Sequence, residues 1–218
     1  SYINICLTMS NYQLFQNDLP LLLLKSFKGD ITVDTETLGL NIKRDRLCLI
    51  QLRNESNKKV YLIKFDKDIT PANSKNIKSL LEDKSLTKIF HYARFDMAVL
   101  KENLNINVRN VFCTKIASKL TRTYSSKHGL KDLVKEILNI ELDKTEQTSD
   151  WSQKKLTKQQ IQYAMNDIIY LSDLKKNLEA KLLEAKRLKT FKSIMNFLDT
   201  RVKLDLMGWE NTDIFAHK

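Results

Sequence analysis

Glycine and proline are scarce in this 218-residue chain, at four and two residues, which excludes collagen-like repeats, low-complexity disorder and a loop-dominated fold. Cysteine is equally sparse. Cys6, Cys48 and Cys113 lie far apart in apolar surroundings and form neither a disulfide framework nor a zinc-ligand spacing. Such usage fits a reducing compartment, so a cytoplasmic location is expected. Long hydrophobic runs are absent as well: the stretch from Leu19 to Leu24 contains Pro20 and is bounded by Asp18 and Lys25, too short for a membrane span or a signal peptide. No membrane partner is expected. Also missing are a Ser-His-Asp order and a glycine-rich phosphate loop, so the residues those chemistries need are not in place.

What is present is positive charge. Lys and Arg number 37 against 26 Asp and Glu, a formal net charge of +11. The resulting field attracts polyanions and makes their binding depend on salt. Nucleic acid is the natural partner, although a general lysine bias would look the same from charge alone. With 42% hydrophobic residues, the length suits one α/β domain with a full core. That domain is read as residues 1–218, with residues 1–8 an extension upstream of Met9 and residues 207–218 a tail.

Hydrophobic spacing predicts a short helix from Leu19 to Phe27 and a strand from Ile31 to Thr35, then strands from Leu47 to Arg53 and from Val60 to Phe65 in a meander. A short helix at Ile77–Leu81, a buried strand at Thr87–Phe90, a helix at Met97–Leu104 and a short strand at Val111–Cys113 follow. From Ile116 to Leu138 apolar residues recur at helical intervals, and Thr157 with Gln160 forms a capping-box pattern ahead of a helix. One or two further helices extend from Lys175 to about Leu206. Strands first and helices after predict an α/β fold, a mixed central sheet flanked by helices with a helical C-terminal half.

Asp34 and Glu36 stand two apart on a predicted strand, so their side chains leave on one side while those of Val33 and Thr35 leave on the other. A solvent-facing acidic pair would show the same spacing. Asp96 follows a predicted buried strand, where an acid also suits a helix N-terminus. Tyr163 and Asp167 lie one helical turn apart, as a tyrosine packed on the core would too. The weight is in the combination. Phosphodiester cleavage uses hard oxygen ligands, and two Mg²⁺ or Mn²⁺ ions about 3.5–4 Å apart stabilise both attacking and leaving oxygens. Carboxylates from separate elements suit that task.

The blocks ITVDTETLGL, HYARFDMAVL and YAMNDIIYL occur in order, accompanied by HGLKDLVKEIL, LDKTEQTSDWS and LTKQQIQYAMNDIIYL. In these the chain resembles, over almost its whole length, the DEDDy exonucleases of the ribonuclease D group. The resemblance implies a ribonuclease H-like fold, two divalent cations (Mg²⁺ or Mn²⁺) held by Asp34, Glu36, Asp96 and Asp167, and a Tyr163 that orients or deprotonates the attacking water. DWSQKKL departs from ribonuclease D, which commonly has Arg-Pro where Lys154 and Lys155 stand. Compact length, LTRTYSSKHGLKDL and the tail RVKLDLMGWENTDIFAH look closer to the nanoRNase C family, which degrades dinucleotides and assembles into octameric rings. Short RNA and further copies of the chain are therefore the expected partners. Trp209 and Phe215 are candidates for the contact between copies, or pack on the chain's own core.

Leu40 stands where short-RNA exonucleases place a leucine that wedges between two bases, with a plain core leucine as the alternative. Thr35, Leu38 and Gly39 beside it are further candidate substrate contacts. His91, Tyr92, Arg94, Lys127 and His128 flank the motifs and are candidates to meet phosphate oxygens, where a clamp on a 5′ phosphate would set length selectivity.

Overall fold

A six-stranded mixed sheet forms the centre of the computed structural model, which describes residues 12–143 and 145–217. The proposed extension, residues 1–8, lies outside the described residues. The strands are β1 (Tyr12–Gln16), β2 (Asp30–Thr37), β3 (Leu47–Asn54), β4 (Val60–Lys64), β5 (Thr87–Phe90) and β6 (Val111–Cys113), arranged in the order β1-β4-β3-β2-β5-β6. The meander β2-β3-β4 is antiparallel, as its short connections predict, and the pairings β1/β4, β2/β5 and β5/β6 are parallel. The sequence reading assigned no strand to β1. Its residues alternate weakly and Leu14 is exposed, so only the ladder offered by β4 makes YQLFQ extended.

The helices are α1 (Leu21–Leu24), α2 (Lys75–Glu82), α3 (Ala93–Leu104), α4 (Thr114–Thr121), α5 (Leu130–Leu133), α6 (Lys158–Ile169), α7 (Leu171–Glu184) and α8 (Leu188–Leu204). α1 is shorter than its leucine run suggests, because Pro20 occupies the residue before its first turn. The Ile116–Leu138 stretch divides into α4, a polar loop, and α5 continued by a π turn, Val134–Leu138, that ends at Asn139 with φ 56°. The capping box forms as predicted: Gln160 N donates to Thr157 Oγ1 (3.1 Å) and Thr157 N to Gln160 Oε1 (2.9 Å).

Both faces of the sheet are covered, which explains the nearly continuous apolar runs of β3 and β4. On one face Ile31, Val33, Ile50, Leu52 and Phe90 pack with Met97, Val99 and Leu100 of α3 and Leu198 of α8. On the other, Leu49, Leu62 and Ile89 pack with Trp151 and with Ile161, Ala164, Ile168 and Leu174 of α6 and α7. Each such aliphatic side chain stabilises the fold by about 1.5–3 kcal/mol. Among the described residues no helix is long and apolar enough to cross a membrane.

Candidate active site

The site lies where β2 ends. The alternation of that strand sends Asp34 and Glu36 toward α6, whose apolar stripe docks on the sheet and presents Tyr163 and Asp167 one turn apart. Carboxylate oxygens of Asp34, Glu36 and Asp167 lie within 4.8 Å of one another, a spacing at which one cation can be held by all three. Asp96 arrives from the opposite face, in the first turn of α3. There its Oδ1 accepts from Thr35 Oγ1 (2.7 Å), so the outward side of β2 holds the fourth acid beside the cluster. Burial, opposed by the Thr35 hydrogen bond and reinforced by the charge of Asp167, pushes the Asp96 carboxyl up to about 7. Burial, followed by the negative charges of Asp167 and Glu36, raises the Tyr163 phenol above its ordinary value. Its ring leans on Trp151, centroids 5.8 Å apart and planes at 44°.

These groups open into a cleft of about 450 Å³ that Thr35, Leu38, Gly39, Leu40, His91, Tyr92 and Asp96 also line. Leu40 is 85% exposed, which excludes the plain core reading of that residue. Gly39 is required by close approach: a Cβ there would collide with the carboxylate of Asp45, which accepts from Asn41 N (3.0 Å) and thereby shapes the loop carrying Leu38 and Leu40. Tyr92 adopts the left-handed conformation (φ 68°) between β5 and α3, with Lys115 Nζ 4.3 Å from its ring centroid. The Thr114 hydroxyl donates to Phe90 O (3.2 Å) and so accepts from His91 Nδ1 (2.9 Å).

Arg94, Lys127 and His128 are not among the residues lining this cleft. The guanidinium of Arg94 forks onto Asp205 (2.6 and 2.8 Å) and donates to Glu210 O (2.8 Å), bracing the chain that leaves α8. Lys127 and His128 belong to the loop after α4, anchored by buried Arg122, which donates to Lys127 O (2.6 Å) and Ser118 Oγ (2.9 Å). His128 Nδ1 meets the same Ser118 hydroxyl (2.8 Å), and burial with the charges of Arg122 and Lys119 lowers its pKa. Arg122 also pairs with Glu136, whose carboxyl the Arg122 and Tyr124 hydrogen bonds lower to about 2. A carboxyl depressed on folding contributes stability that is complete above its unfolded pKa, about 4.3, and is lost as pH falls through about 2. Acid unfolding monitored by circular dichroism is thus expected to begin at higher pH in Arg122→Met than in wild type.

Gln147, Thr148 and Ser149 line the cleft as well and escaped the sequence reading. Their signal was available in the TEQTS segment, but a polar stretch between helices reads as loop until the fold bends it over the site. Gln51, buried on β3, also went unflagged.

Acids from β2, α3 and α6 gather round one cleft at the end of a mixed sheet, an arrangement suited to holding divalent cations, on a ribonuclease H-like fold. Residues 15–183 match the family described as 3′-5′ exonuclease, and the chain belongs to this family. Ribonuclease D of Desulfotalea psychrophila is 30% identical over 185 residues, covering 84% of this chain but 48% of that protein, so the chain spans about half the length of that relative. Among solved structures, Brucella melitensis NrnC bound to pGG is 43% identical with TM-score 0.88, covering 95% of this chain and 99% of that one. Brucella melitensis NrnC with bound Mg²⁺ is 42% identical, with TM-score 0.88, covering 95% and 100%.

Proposed function

We propose that this chain is a divalent-metal-dependent 3′-5′ exoribonuclease that hydrolyses short RNA, 5′-phosphorylated dinucleotides foremost, to nucleoside 5′-monophosphates. The observation that carries the reading is the three-carboxylate cluster at the floor of a cleft whose rim bears the exposed Leu38 and Leu40. Its donor set consists of hard, anionic oxygens at mutual distances one ion can bridge, which fits Mg²⁺ or Mn²⁺. Asp34, Glu36 and Asp167, with Asp96 beside them, would hold two such ions, which supply Lewis-acid stabilisation of the phosphoryl oxygens. The relatives point the same way: one NrnC structure is described with Mg²⁺ and another with pGG.

The chain's own residues then do the positioning. Tyr163, one turn before Asp167, faces the cleft, where its hydroxyl holds the attacking water in line with the terminal phosphodiester. Leu40 enters between the two terminal bases, where an apolar side chain replaces base stacking without reading sequence. His91 and Tyr92 at the far wall meet the phosphate or base edge, with Thr35, Leu38 and Gly39 on the near wall. Arg94, Lys127 and His128 stand outside the cleft lining, Arg94 paired with Asp205 and His128 two residues from the lining residue Leu130, and they would act on the parts of a substrate that extend beyond the cleft. We read residues 1–218 as one exonuclease domain in a cytoplasmic homo-oligomer, octameric by resemblance. Exposed Trp209 and Phe215 remain the candidates for that contact, and Phe215 packs on Phe197 with centroids 6.1 Å apart.

The test is product formation with Mg²⁺ or Mn²⁺ on a 5′-phosphorylated diribonucleotide against a long single-stranded RNA. Preference for the dinucleotide supports the proposal. Better trimming of the longer strand moves the assignment to general ribonuclease D-like processing, which the Desulfotalea relative favours. Binding without product would leave a nucleic-acid-binding module. In the same assay Leu40→Ala is expected to lower dinucleotide turnover about tenfold or more, the loss of one stacking contact of about 1–3 kcal/mol. Because the residue is 85% exposed, its melting temperature is expected to stay within a degree or two of wild type.

A further inference from the structure

β3 reads LCLIQLRN, a buried strand at the centre of the sheet, and Gln51 is the one uncharged polar side chain inside its apolar run. It has no exposed surface. In the antiparallel register it stands opposite Asp34, and its Nε2 donates to Glu36 Oε1 (3.1 Å). A carboxylate can only accept, so the amide must present its NH₂ group to Glu36 and turn its carbonyl the other way. That carbonyl oxygen, Oε1, is buried without a hydrogen-bond partner among the described residues. A leucine or methionine would fill the same space without burying an unpartnered carbonyl, and would cost only the hydrogen bond to Glu36. Packing therefore does not account for the residue.

We infer that Gln51 is a positioning residue that holds the Glu36 carboxylate in the orientation needed to bind a divalent cation together with Asp34 and Asp167. The inference rests on the metal-dependent reading above. The amide occupies one lone pair of Glu36 Oε1 and restricts rotation of the carboxylate. A neutral donor suits this place. Lysine or arginine would fix Glu36 equally well, but would add a positive charge next to the ion and cancel part of the field the three acids create. Thr35, also neutral, donates to Asp96 in the same manner (2.7 Å).

The experiment is Mn²⁺ titration of the full chain by calorimetry, without RNA, for wild type, Gln51→Met and Gln51→Leu, with thermal melts in metal-free buffer. Expected are melting temperatures equal to or above wild type in at least one variant, together with Mn²⁺ affinity weakened on the order of 10–100-fold. Turnover of short RNA should then fall at low Mn²⁺ and recover substantially as Mn²⁺ is raised, with KM for RNA unchanged; a merely structural defect would not be rescued by the ion. If wild type binds Mn²⁺ and either folded variant binds it equally well, the role of Gln51 is overturned while the exonuclease reading stands. If wild type itself takes up no Mn²⁺, the metal-dependent reading fails, and the role of Gln51 with it.

Discussion

Asp34→Asn is expected to abolish metal-dependent product, by about a thousandfold or more, since a metal-held phosphoryl transition state draws several kcal/mol from its ligands. Asp34 contributes a carboxylate to the cluster in which oxygens of Asp34, Glu36 and Asp167 lie within 4.8 Å. Asparagine keeps the shape and removes one negative charge. In metal-free buffer the remaining two acids repel less, so the variant's melting temperature should equal or exceed that of wild type. Added Mg²⁺ should then stabilise wild type by mass action and the variant hardly at all. The two readouts together separate a lost ligand from a damaged fold. An Asp34→Asn variant with substantial metal-dependent turnover would show that the chemistry runs elsewhere, and a metal-independent melt of wild type would show the same for the ion.

Trp151→Ala is expected to be the most destabilising single truncation near the site, costing about 3–5 kcal/mol, which for a chain of this size lowers the melting temperature on the order of 10 °C. Trp151 is 1% exposed and lies between the cleft-lining segment and α6. Its ring supports Tyr163 at 5.8 Å, and its carbonyl accepts from the buried amine of Lys64 (3.3 Å). Removing the indole opens a void under the tyrosine, so turnover should fall further than the population of unfolded chain explains. Trp151→Phe separates packing from polarity. The indole Nε1 is buried without a partner among the described residues, so phenylalanine discards an unsatisfied donor while keeping much of the ring. It should retain most of the stability that alanine loses. Equal losses in the two variants would mean that the indole's full volume, not its aromatic face against Tyr163, is what the site requires.

The grouping of the candidate acids and tyrosine was legible in the sequence where it follows local periodicity. A two-residue spacing on a strand puts Asp34 and Glu36 on one side, and a four-residue spacing on a helix does the same for Tyr163 and Asp167. The start of α6 was legible for a similar reason, since a capping box needs only four consecutive residues. Arg94 shows where local reading stops. Next to a motif acid it resembles a phosphate ligand, yet its partner is Asp205, more than a hundred residues further on. His128 likewise sits in a motif block, but Arg122 and Ser118 hold it in a loop outside the cleft lining. The edge strand β1 was missed because its extended form depends on pairing with β4 more than on its own side chains.

By itself the sequence determined the kind of chemistry available here: hard oxygen donors in strand and helix settings, no competing Ser-His-Asp order, and a net positive charge suited to polyanions. Only the tertiary structure decided which side chains share a point in space. It brought Asp167 to Asp34 and Glu36, delivered Asp96 from the opposite face through Thr35, left Leu40 exposed at the rim, and buried Gln51 against Glu36. The physical reason is range. Dihedral preference and hydrophobic period act over a few residues, whereas a metal-binding cluster is set by how separate elements pack, and packing is decided by the whole core.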